Sequence, residues 1–179
     1  MLEYQKMEVY HGTAIEFKEI DIKKSKPQRD FSIGFYVTDD KNQASIWAKN
    51  TADNLNKTYG VDLYKAKVMI FELDMSVFNN ERFKSIRFED SNKEWAEFVL
   101  LCRSEDMDTT SPSHEYGIVE GPLADNGIKD VAKKYKYKEI TLDEAIEKIV
   151  FKYKTHQISI HKQEIINGFL KYIGIEEVS

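Results

Sequence analysis

Cysteine is almost missing from this sequence. Cys102 is the single one among 179 residues, which excludes an internal disulfide framework and a cysteine-built zinc site. Three prolines and eight glycines are too few for a long structureless linker. No apolar run reaches the ~20 residues that a membrane-crossing helix needs. The opening MLEYQKMEVY lacks the apolar core of an export signal. The expected compartment is therefore the cytoplasm, with no membrane partner. Positive charge is also in short supply. The formal net charge is −5, which argues against general nucleic-acid binding. The one basic–aromatic cluster, KKYKYK at 133–138, reads as a solvated face. No glycine-rich strand-to-helix phosphate loop occurs. The four histidines show no spacing typical of zinc, so no metal site is expected.

What is present suits an ordinary globular chain: 41% hydrophobic and 32% charged residues, long enough to bury a full core. A single domain over 1–179 is expected. MEVYHG and IGFYVT read as strands, rich in β-branched and aromatic residues. Thr38 or Asp39 is placed to cap a helix over 40–57, in which Ala44, Trp47, Ala48, Ala52 and Leu55 recur at helical spacing. LYKAKVMIFEL is a further strand, ending near Asp74. Ser91 and Glu94 form a capping-box pattern ahead of Trp95, Phe98, Val99 and Cys102, and Arg103 fits the helix end, where a cation is favourable. HEYGIVEG is a strand stopped by Gly121-Pro122. Thr141 and Glu144 form a second capping box, before Leu142, Ala145, Ile149 and Val150. HQISIH alternates, with Gln157, Ser159 and His161 on one face and Ile158 and Ile160 on the other. A last helix carries Ile165, Ile166, Phe169, Leu170 and Ile173 and stops at Gly174. Strands and helices do not alternate regularly. The expected class is α+β, with a small mixed or antiparallel sheet and peripheral helices.

Six segments stand in order: YHGT (10–13), DFSIGFYVT (30–38), QASIWA (43–48), EWAEFVLLCR (94–103), YGIVEGPLAD (116–125) and QISIH (157–161). Together they resemble the ADP-ribosyltransferase superfamily, in the branch shared by poly-ADP-ribose polymerases and diphtheria toxin. More narrowly the chain is similar to an uncharacterised bacterial domain family of that superfamily, with YHG(S/T), DFGxGFYxT and QAxxWA motifs. The resemblance covers roughly residues 8–173. It departs from the pattern at Ser32, where glycine is expected, and at Gly117, where aspartate is expected.

The resemblance implies a split-sheet core and NAD as substrate, with single ADP-ribose units moved to a protein or nucleic-acid acceptor. Breaking the nicotinamide–ribose bond develops an oxocarbenium-like sugar, so catalysis is mainly positioning and electrostatics. By resemblance His11 bonds a ribose hydroxyl, and Gly12 lets the backbone approach the nicotinamide carboxamide. Thr13 bonds ribose or holds the turn, and Gly34 and Phe35 lead into Tyr36. Tyr36 stacks on the nicotinamide ring with Trp47 flanking it. Gln157 is the first choice for the third signature position, with Glu115 and Glu97 as runners-up. An amide orients a hydroxyl but cannot act as a general base. A catalytically silent NAD- or protein-binding module therefore stays open, as does a toxin paired with an antitoxin-like partner protein.

Overall fold

Alternation in KMEVYHGT sends Val9, His11 and Thr13 to one face and Glu8, Tyr10 and Gly12 to the other. This segment is strand β1 (Lys6–Thr13). The computed structural model describes residues 5–124, 127–149 and 155–178. Strand β1 pairs antiparallel with the strand Lys67–Asp74, which pairs antiparallel with Leu170–Glu177. The second sheet holds β2 (Phe35–Val37), β4 (Ser85–Arg87), β5 (Ile118–Pro122) and β6 (His156–Ile160). With Lys67–Asp74 as β3 and Leu170–Glu177 as β7, the two orders are β1-β3-β7 and β2-β6-β5-β4. Among the described residues only the β4–β5 pair is parallel, and five α-helices pack around these sheets: the fold is α+β, with one antiparallel and one mixed sheet.

Three apolar clusters build four layers. Helix α1 (Lys41–Tyr59) lays Ala44, Ala48 and Ala52 against Val68 and Ile70 of β3. Small residues at that spacing let the helix axis come close to the sheet. The other face of the first sheet meets the second through Val9, Phe35, Phe71, Ile158 and Ile160. Beyond the second sheet, α2 (Lys93–Arg103), α3 (Ile128–Lys136) and α4 (Leu142–Lys148) contribute Trp95, Val99, Ile128 and Ala145 to a third cluster. Trp95 is fully buried, and its indole N–H donates to the Pro122 carbonyl at 3.0 Å, so its one polar group loses nothing by leaving water. Among the described residues no helix is long and apolar enough to cross a membrane.

Several boundaries differ from the sequence reading. Asp40, not Thr38 or Asp39, caps α1 by accepting from the Asn42 and Gln43 amides. The Thr38 hydroxyl instead accepts from the Asp40 amide. Asn92 caps α2, so Ser91 and Glu94 form no capping box there. The Thr141–Glu144 box is present on α4; Val150 lies outside the described residues. The largest difference is C-terminal. Helix α5 (Gln163–Phe169) ends five residues before Gly174, and Leu170 opens β7. Leu170, Tyr172 and Ile175 find partners in β3, and that pairing outweighs a helical spacing that a strand tolerates equally well. Helix α3 and strand β4 have no counterpart in the sequence reading.

Candidate functional site

Strands β1 and β2 touch at one point and then part. The Tyr10 N–H donates to the Thr38 carbonyl at 2.8 Å, and the Thr38 N–H returns the bond at 3.0 Å. Backbone groups alternate in direction along antiparallel strands. Two residues on, Gly12 therefore faces the same edge as Tyr10, and Tyr36 is its natural partner. That pairing does not form, because the His11 side chain takes the Tyr36 carbonyl, with Nδ1–H donating at 2.7 Å. The imidazole wedges the sheets apart at this level. The Gly12 N–H and C=O are left on an open strand edge, with no strand partner on that side among the described residues.

The same bond fixes the histidine tautomer. With the proton on Nδ1, Nε2 carries a lone pair and accepts from a hydroxyl. The ring stacks on Phe35 at 4.6 Å and meets the edge of Phe17 at 5.7 Å. Burial lowers its pKa, the Tyr36 carbonyl opposes that, and the Arg29 charge lowers it further. His11 is thus held neutral near pH 7.

The glycines are explained first by packing. A Cβ on Gly12 would stand 2.1 Å from the Ala44 carbonyl oxygen of α1. One on Gly34 would stand 2.5 Å from Ser159 Oγ and 2.8 Å from the His161 ring. Thr13 Oγ1 donates to the Ile15 carbonyl at 2.9 Å and accepts its amide at 3.1 Å, so this hydroxyl holds the turn. Gly117 departs from the family pattern for a similar reason. Its Cβ would meet Ile165 Cδ1 at 3.0 Å, which leaves little room for an aspartate.

The segment before β2 is buried yet irregular, so each of its polar groups needs a partner. Ser25 Oγ donates to the Gly34 carbonyl at 2.7 Å, and the Tyr36 hydroxyl donates to the Ser32 carbonyl at 2.6 Å. His114 Nε2–H and His161 Nδ1–H donate to the carbonyls of Phe31 and Ile33 at 3.0 and 2.6 Å. Asp30 is the hub. Its Oδ1 accepts from Arg103 Nε at 2.7 Å and from Arg103 Nη2. Its Oδ2 accepts from the Ala124 amide at 2.9 Å and from Gln157 Nε2 at 2.7 Å. Arg103 also donates to the Gln28 carbonyl at 2.9 Å. Arg103 is therefore more than a helix-end cation; it is the counter-ion of Asp30.

Glu105, also buried, clamps the same segment. It accepts from the Ser32 hydroxyl, from the Ser113 amide at 3.1 Å and from the Gln28 amide at 3.3 Å. This bond accounts for the other departure from the pattern. Ser32 has φ 72°, a left-handed conformation that suits glycine and costs serine about 1 kcal/mol, while its bond to Glu105 is charge-assisted and worth about 1.5–3 kcal/mol. Ser32→Ala keeps the strain and loses the bond; Ser32→Gly loses both. Urea unfolding should place Ser32→Ala about 1 kcal/mol below Ser32→Gly, and the reverse order would refute this.

Trp47 sits on the flank of α1 and is 47% exposed, outside the alanine stripe with which its spacing grouped it. The Arg29 guanidinium lies over its ring, 5.5 Å from the centroid. The Arg29 charge lowers the His11 pKa, and Tyr36 raises that of Arg29. His11, Gly12, Phe35, Tyr36 and Trp47 thus gather around Arg29 and the β1–β2 split. Gln157 joins one step back, through Asp30, and is buried. Glu115 is exposed and paired with Lys84, and Glu97 is exposed on α2. Sequence reasoning missed Arg29, Asp30 and Glu105. Asp30 heads the DFSIG motif, and an acid directly before an apolar run was the signal available for it.

A cavity of about 1230 Å³ lies beside this site. Its walls include Phe17, Phe71, His161, Gln163 and Ile166, and Phe17 is the residue it shares with the surroundings of His11. His161 is buried, with Nε2 unpartnered. Burial, the neighbouring His114 and Lys162 bring its pKa down to about 3, against the Ile33 carbonyl, which raises it. The folded state keeps this ring neutral, while the unfolded chain takes up a proton below the ordinary value near 6.5. Stability is therefore full above about pH 6.5 and falls as the pH drops toward 3. Between pH 7 and 5 His161 alone should remove about 2 kcal/mol, and His11 and His114, both lowered, act in the same direction. A urea midpoint unchanged over that window would contradict this.

No curated protein and no solved structure matches the chain. A family model described as "Protein of unknown function (DUF3990)" matches residues 7–172. That span holds the β1–β2 split, Asp30 with its partners, the second sheet and most of the first, and the chain belongs to this family.

Proposed function

We propose that the protein is an NAD-dependent ADP-ribosyltransferase-like enzyme, cleaving the nicotinamide–ribose bond and passing single ADP-ribose units to an acceptor. The observation that carries this reading is the open edge at Gly12 beside a neutral, tautomer-fixed His11. A carboxamide offers one N–H donor and one carbonyl acceptor, which is the complement of a free backbone C=O and N–H on one strand edge. His11 Nε2 then accepts a ribose hydroxyl, and Trp47 and Tyr36 supply aromatic surface for the nicotinamide ring. Cytoplasmic residence fits the same reading.

The chemistry is left to positioning. Asp30 already accepts four hydrogen bonds, so it has no lone pair to spare for a proton from an acceptor. Gln157 is an amide. With neither Asp30 nor Gln157 able to take a proton, the substrate is oriented rather than deprotonated, which favours single transfer or hydrolysis over chain elongation. The same observation favours a second reading, an NAD-binding module without turnover.

Incubation with labelled NAD and cell lysate separates the two. The enzyme reading expects release of nicotinamide or a labelled target, lowered about 100-fold or more in His11→Ala through lost positioning. Calorimetric NAD binding without release would leave the silent module. Neither binding nor release would remove both.

A further inference from the structure

Arginine is rarely left half-buried without an anion, since a desolvated cation without a partner is costly. Arg29 is in that condition. Among the described residues its guanidinium meets no hydrogen-bond acceptor and no carboxylate within ion-pair distance. The nearest acid in sequence, Asp30, is withheld, because Arg103, Gln157 and the Ala124 amide fill both its oxygens. The Trp47 ring holds the guanidinium by a cation–π contact but supplies no negative charge. Burial lowers the Arg29 pKa, while Tyr36 and Asp30 oppose that and Arg103 adds to it. The other buried acid of this segment, Glu105, is likewise taken up, by the Ser32 hydroxyl and the Ser113 and Gln28 amides.

We propose that Arg29, braced on Trp47, is the anion-holding residue beside the β1–β2 split and takes the diphosphate of a nucleotide ligand. A planar five-donor fork suits two adjacent phosphate oxygens. Fixing the face of the guanidinium on an aromatic ring lowers the entropy lost when those bonds form. The place is apt: the guanidinium lies on Trp47 and its charge lowers the His11 pKa, so an anion on it lies near the β1–β2 split. The diphosphate identity rests on the NAD reading above, whereas the preference for an anion rests on the surroundings of Arg29 alone.

The test is calorimetry of wild type, Arg29→Gln and Arg29→Lys with ADP-ribose, inorganic pyrophosphate and nicotinamide, alongside an assay of NAD cleavage. Among the described residues Arg29 makes no side-chain hydrogen bond or ion pair, so cooperative urea unfolding of all three proteins serves as the folding control. Arg29→Gln should weaken ADP-ribose and pyrophosphate about 10- to 100-fold and leave nicotinamide affinity unchanged. Arg29→Lys should recover part of the loss, since it restores charge without the planar fork. Intrinsic fluorescence gives a second readout: pyrophosphate should perturb exposed Trp47 in wild type and not in Arg29→Gln, while Trp95 stays silent. Equal ADP-ribose affinity in wild type and Arg29→Gln would overturn the assignment even if NAD is cleaved. Arg29-dependent ADP-ribose binding without nicotinamide binding or NAD cleavage would uphold it and remove the enzyme reading. Wild type that binds none of these ligands would remove both.

Discussion

Replacing Asp30 with alanine should cost about 3–5 kcal/mol, the usual penalty for stranding one member of a buried ion pair. The carboxylate is 3% exposed and the Arg103 side chain 17%. Its removal leaves the guanidinium without a counter-ion and the Gln157 amide and Ala124 N–H without an acceptor. A loss of that size is a large part of the ~5–15 kcal/mol that holds a domain together. Asp30→Asn should fall between alanine and wild type: it keeps the shape but turns an NH₂ toward groups that are themselves donors. Double-mutant cycles with Arg103→Met should show strong coupling, because removing both charges is far cheaper than removing one. Urea unfolding measures all three. A cost below about 1 kcal/mol for Asp30→Ala would mean that the pair does not hold the segment before β2.

Gly12→Ala should destabilise the protein by about 3 kcal/mol, the upper part of the range for overpacking. The new methyl would stand 2.1 Å from the Ala44 carbonyl oxygen and 2.9 Å from the Ala48 nitrogen. Both are backbone atoms, so no rotamer change relieves the clash and α1 must lift from the sheet. Adding Ala44→Gly should not rescue the variant, since the obstacle is the carbonyl rather than the Ala44 methyl. Rescue by that second change, or an unaltered thermal midpoint for Gly12→Ala, would contradict this account. Loss of ligand binding in Gly12→Ala cannot be credited to the ligand edge alone, because packing and the open edge depend on the same residue in different directions.

The contrast between these two residues shows what local pattern conveys. The strand at Val9, the alanine stripe of α1 and the Thr141–Glu144 cap were legible because each is fixed within a few residues of sequence. Motif spacing singles out His11, Tyr36 and Trp47, and the fold brings them near Arg29. The Asp30 network was not. Its partners Arg103 and Gln157 stand 73 and 127 positions away, and an acid in an irregular segment reads as solvated until those partners are in place. The C-terminal strand failed for the same reason: Ile165, Ile166, Phe169 and Leu170 fit a helix, and only β3, distant in sequence, draws Leu170–Glu177 into the sheet. Gly12 was read as room for a ligand, while its tightest contact is a helix that the sequence placed nearby without showing how closely it packs.

If the unpaired strand edge at Gly12 holds the ligand, its backbone amide responds when the ligand binds. The most direct measurement is an amide NMR titration of ¹⁵N-labelled protein with nicotinamide and then NAD. The account predicts that the Gly12 amide and the Trp47 indole N–H shift together and saturate at one affinity, with Gln163 and Asn167 in the large neighbouring cavity unmoved by nicotinamide. Shifts confined to Gln163 and Asn167, or no shift at Gly12 at saturating NAD, would contradict it.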